Sequence, residues 1–154
     1  MRKIACGLVL MVAAATLPNT ATAAGGAPTP ERFIRSLYAD LARPEISPRG
    51  PLWWSYLSQR THTLLRQLQA ADARRGDGSI DYDWLCQCND GVGLRIRSLI
   101  VTSSSPSTAR ATVQFGSERV ILELVQDHGW KIADIIDRRN QRFTSWLMQE
   151  TRGR

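Results

Sequence analysis

The chain is short of the residues that most catalytic chemistry needs. Three cysteines in 154 residues are too few for a disulfide-scaffold mini-protein. Its two histidines, His62 and His128, stand far apart in sequence. No G-x-S-x-G elbow, H-E-x-x-H pair or glycine-rich phosphate loop occurs, which removes the familiar nucleophile, zinc and nucleotide signatures. Lysine occurs only at Lys3 and Lys131, and no contiguous basic run appears among the many arginines. A nucleic-acid binder would cluster such cations and interleave exposed aromatics, so no nucleic-acid partner is expected. The apolar stretch Ile4 to Leu17 has 14 residues, fewer than the roughly 20 that span a bilayer.

What is present suits one modest globular domain: 43% apolar residues, 22% charged and a formal net charge of +6. Residues 1–23 have the three parts of a secretory signal. Arg2 and Lys3 form the basic start, Ile4 to Leu17 the apolar middle, and Ala21-Thr22-Ala23 an A-x-A cleavage site. Cys6 lies at the start of the apolar stretch rather than after it, which does not suit a lipid-anchored cysteine. Cleavage after Ala23 would leave 131 residues with 18 basic and 14 acidic side chains, a net charge of +4. The expected location is the periplasm, with no stable membrane insertion once the signal is removed. The organisation then reads as signal 1–23, flexible lead-in 24–28, one domain over 29–150 and a frayed tail 151–154.

Hydrophobic spacing predicts the elements. Thr29-Pro30-Glu31 is a helix start, with a capping hydroxyl, proline at the first position and an acid in the first turn. Phe33, Ile34, Leu37, Tyr38 and Leu41 recur at helical spacing up to about Ala42. A proline-rich connector, Arg43 to Pro51, precedes a second helix expected from about Leu52 to Ala73. Gly76-Asp77-Gly78 ends it, and an irregular stretch follows from Ser79 to Gly93. Four strands are expected: Leu94 to Thr102, Ala109 to Phe115, Arg119 to Gln126 and Trp130 to Ile136. Their short connections can join only antiparallel neighbours, so they predict a meander. A last helix is expected from about Asn140 to Glu150. Two helices before four strands, with a short helix after them, is the α+β pattern.

Several of these segments resemble a known family. They are the first two helices from Phe33, the Asp81-Tyr82-Asp83-Trp84-Leu85 to Asn89-Asp90 loop, and the hairpin Val120-Ile121-Leu122-Glu123-Leu124 to Trp130-Lys131-Ile132-Ala133-Asp134-Ile135. Together they resemble the bacterial domain-of-unknown-function family 3828, whose members are exported or lipid-anchored envelope proteins. The resemblance implies a cystatin-like or nuclear-transport-factor-2-like fold, helices cupped by a curved antiparallel sheet. It implies no activity, because fold does not give function. A Gln-Asp pair is common in the family's loop; here Asn89-Asp90 stands there, after the added Cys86 and Cys88.

Cys86-Gln87-Cys88 is the one thiol constellation outside the signal. In an oxidising compartment each cysteine is the other's only partner within the cleaved chain, which makes Cys86 and Cys88 a disulfide candidate. A redox pair, half of a metal site and pairing between chains are the other readings. No basic residue flanks the thiols to lower their pKa, and no histidine lies near in sequence to complete a tetrahedral site. Gly76 to Asp81 resembles the middle of a calcium loop, but the ligand positions fall on Ala73, Arg75 and Trp84, so no metal is expected. Asp81, Asp83 and Asp90 would suit acid–base chemistry only if the fold crowded them together.

Aromatic residues are the remaining clue. Trp53, Trp54, Tyr56, Tyr82 and Trp84 sit at the start of the second helix and in the irregular loop, with Asp83 and Asp90 beside them. Either the loop folds over the helix start and closes the open mouth of the cone, or these residues line a cavity or partner surface. The leading reading is therefore a non-catalytic exported binding domain without cofactor, its partner a protein or small ligand in the periplasm. The alternatives are an immunity protein that neutralises a secreted toxin, or a small enzyme or redox protein using Asp81, Asp83 and Asp90 or Cys86 and Cys88.

Overall fold

The positive φ of Gly76 (76°) ends the longest helix among the described residues, in a computed structural model that describes residues 28–42, 51–76, 78, 83–87 and 95–152, with the backbone alone at 51–53. The signal segment, most of the lead-in and the connector, Asp81, Tyr82, Cys88, Asn89, Asp90 and the last two residues lie outside the described residues. The chain forms α1 (Pro30–Leu41), a 3-10 helix (Pro51–Tyr56), α2 (Gln59–Arg75), β1 (Ser98–Ser105), β2 (Thr108–Phe115), β3 (Glu118–Gln126), β4 (Trp130–Ile136) and α3 (Phe143–Arg152). The strands make one antiparallel sheet in the order β1-β2-β3-β4, as the short connections predict. The fold class is α+β.

Helix α1 begins as its sequence dictates: the Arg32 N–H donates to Thr29 Oγ1 at 3.2 Å, and Pro30 takes the first helical position. It buries Ile34, Leu37, Tyr38 and Leu41 against the β1–β2 side of the sheet. Helix α2 buries Leu65 and Leu68 and packs on α3 and β4. Alternation places Ala111, Val113, Val120 and Leu122 in the shared core, while their neighbours Thr112, Gln114, Arg119 and Ile121 face the other way.

Three elements depart from expectation by more than two residues. The helix expected over 52–73 is broken at Leu57 and Ser58. Leu57 bridges Ile132 in parallel, the Ser58 N–H donates to the Ile132 carbonyl at 2.8 Å, and Ser58 starts α2 afresh by accepting the Thr61 N–H. Pairing with a sheet edge outweighs helix continuation there, and the cap makes the restart favourable. Strand β1 runs later than expected, Ser98–Ser105 rather than 94–102. Its register is set by the turn at Pro106-Ser107, where Ser104 and Ser105 share hydroxyl hydrogen bonds with Thr108, each at 2.8 Å. Helix α3 begins at Phe143 rather than Asn140. Asn140 has a φ of 61°, and Asp137 ties down this turn by accepting the Arg139 and Gln141 N–H groups.

Candidate functional site

The β3–β4 turn is Asp127-His128-Gly129, and it lies against the start of α2. Asp127 Oδ2 accepts the Gln59 N–H at 3.1 Å, so a carboxylate meets the positive end of the helix. Asp127 Oδ1 lies 3.1 Å from His128 Nδ1. The Gln59 N–H chiefly, then the His128 hydrogen bond and the charges of His128 and Lys131, hold the Asp127 carboxyl below the usual aspartate range. Lys131, one strand residue beyond the turn, donates its ammonium to the Ser55 carbonyl and so fastens β4 to the 3-10 helix.

Between these anchors lies an open pocket of about 450 Å³, lined by Trp54, Ser55, Leu57, Gln59, His62, Asp127, His128 and Lys131. The Trp54 and His62 rings meet at a centroid distance of 5.5 Å, and the His128 side chain is 97% exposed at the rim. Both histidines of the sequence thus face one pocket, although 66 positions separate them. Imidazole, ammonium and indole groups line the pocket together with a carboxylate. The Asp127 carboxylate is already engaged by a backbone N–H and an imidazole.

Of the aromatic candidates with described side chains, Trp54 lines this pocket, while Tyr56 and Trp84 pack elsewhere. Tyr56 is half-buried, its ring 6.0 Å from Phe33 and its hydroxyl donating to Asp40. Trp84 is 6% exposed and packs on Phe143 and Trp146 of α3, with centroid distances of 5.1 and 5.5 Å. The described part of the loop therefore lies over α3 and α1. The Trp53 side chain, Tyr82, Asp81, Asp90 and Cys88 lie outside the described residues.

Asp83 Oδ1 accepts the Leu85 N–H at 2.8 Å, which is turn chemistry. Tyr38 donates its hydroxyl to the Leu85 carbonyl at 2.7 Å, and burial, with the Asp83 charge second, pushes its pKa well up. Cys86 is fully buried, its sulfur 3.8 Å from the Asp83 carbonyl. Among the described residues no three His, Cys, Asp or Glu side chains gather as metal ligands, and no helix is long and apolar enough to cross a membrane.

The pocket residues Gln59, His62, Asp127, His128 and Lys131 were not legible as a group. A turn tip and a helix cap are each visible in sequence, but their meeting is not. No family model, curated protein or solved structure matches the chain.

Proposed function

We propose that the chain is an exported periplasmic domain that works by binding rather than by catalysis, belonging to the envelope family it resembles and sharing the cystatin-like cone. The observation that carries this is the open pocket between the β3–β4 turn and the start of α2. It joins an aromatic ring, two imidazoles and an ammonium in one open concavity. Its ligand is an acidic small molecule or an acidic side chain of a periplasmic protein. The burial of Cys86 supports a local bridge to Cys88 that staples the loop over α1 and α3.

Intact-mass spectrometry of the protein purified from periplasm, with and without reduction, tests export and the bridge. The expected species begins at Ala24 and is two hydrogens light. A retained N-terminal segment or free thiols would overturn those parts. Pull-down from the same extract, repeated with His62→Ala and Lys131→Ala, tests the pocket. Loss of the captured ligand or partner in both variants is expected, and unchanged capture would remove the pocket from the proposal.

A further inference from the structure

We infer that the outer edge of β1 is a docking strand for an extended, acidic segment of a partner protein, added to the sheet by main-chain pairing. The inference rests on the binding reading above but uses a different surface. The two edges of the sheet differ. The β4 edge is met by the Leu57 bridge to Ile132 and the Arg142 bridge to Ile136. Among the described residues no strand pairs with the outer edge of β1, and a strand at the end of a sheet presents a row of N–H and C=O groups to a pairing partner.

Proteins usually guard such an edge with charge or proline. Over Ser98–Ser105 this strand has neither, and its Ile100, 62% exposed, is the one large apolar side chain among the described residues left so open. Charge identifies the occupant. Arg95 and Arg97 precede the strand; the Arg97 N–H donates to the Gln114 carbonyl at 2.8 Å, and Gln114 is the cross-strand partner of Arg119. Two exposed guanidinium groups, Arg95 and Arg97, thus stand at one end of the edge and Arg119 two strands inward on β3, none with an ion pair to a described residue, while Glu118 beside Arg119 is taken by Arg138. The far end is hydroxyl-rich and uncharged, Ser103-Ser104-Ser105. A second copy of β1 would bring no acid to those arginines. An extended segment with acidic residues at one end and β-branched residues along its length satisfies backbone, Ile100 and charge together.

A photo-crosslinking residue at position 100 of the full chain, activated in the intact periplasm of the native host, reads the occupant directly. The expected product joins position 100 to another protein within a segment carrying at least two Asp or Glu. The yield falls about tenfold in the Arg95→Glu/Arg97→Glu/Arg119→Glu variant, equivalent to a loss of roughly 1.4 kcal/mol. Hydrogen exchange on the same complex, purified, is expected to slow at the β1 amides. A crosslink to a second copy, to this chain's own residues before 95 or to nucleic acid would overturn the inference, as would no crosslink or a yield indifferent to the arginines. If those results came while the pocket still captured a ligand, only the edge would fall. If neither surface captured anything, the binding reading would fall with it.

Discussion

Asp127 accepts the backbone N–H of Gln59, and that single bond joins a strand turn to the start of a helix 68 residues away in sequence. Asp134 does the same for α3, accepting the Thr144 N–H at 3.0 Å. Two aspartates from one hairpin therefore meet the positive ends of two helices, which orients both helices against the sheet and shapes the pocket between the turn and α2.

For Asp127 the consequence is a pH dependence. Its folded pKa lies below its unfolded value of about 3.9, so its contribution to stability is present above that value. It is lost as the pH falls through the folded pKa. Asp127→Asn keeps an acceptor for Gln59 but removes the charge. Urea titrations at pH 6 and pH 3 are expected to show a smaller acid-induced loss of stability in the variant than in the parent.

Asp134 is 4% exposed and also accepts from the Ile135 N–H (2.9 Å), the Thr144 hydroxyl (2.8 Å) and Arg142 Nε (2.8 Å). Arg142 reaches Glu123 as well, and that hydrogen bond chiefly, joined by the charges of Asp134 and Glu123, raises its pKa against the opposing effect of burial. Asp134→Ala strands several buried donors at once. A loss of about 3 kcal/mol is expected in chemical denaturation, and a loss under about 1 kcal/mol would show that α3 does not depend on this carboxylate.

Trp84 is the loop's anchor on α3. Trp84→Ala empties the contact with Phe143 and Trp146 and is expected to cost about 3–5 kcal/mol, read as a lower urea midpoint at unchanged slope. A change in slope instead would mean that the loop detaches as a separate unit.

Ser58 restarts the helix after the break at Leu57. Ser58→Ala removes the acceptor for the Thr61 N–H and is expected to cost about 1 kcal/mol. Amide exchange should quicken in the first turn of α2, including Gln59 and Arg60, while the β2–β3 ladder stays protected. Uniform acceleration through the domain would argue that the cap acts globally.

Much of the fold was legible because its signals are local. Thr29-Pro30-Glu31 starts α1, Gly76 ends α2 with the left-handed backbone that glycine adopts at low cost, and two- and three-residue turns force an antiparallel meander. The break at Leu57 was not legible. Helical spacing runs straight through Trp53, Trp54, Leu57, Leu64 and Leu65, and only the bridge to Ile132 overrides it. The surroundings of individual aromatics were not legible either. Trp54 and Trp84 look alike in sequence, yet one faces an open pocket and the other is buried on α3.

The sequence by itself determined which segments curl, extend and turn, because capping, periodicity and turn chemistry act over a few residues. Only the tertiary structure decided that His62, Asp127, His128 and Lys131 share a pocket. That outcome depends on which strand edge the Leu57 backbone pairs with and where the hairpin tip lands. No short-range pattern encodes contacts across 68 residues.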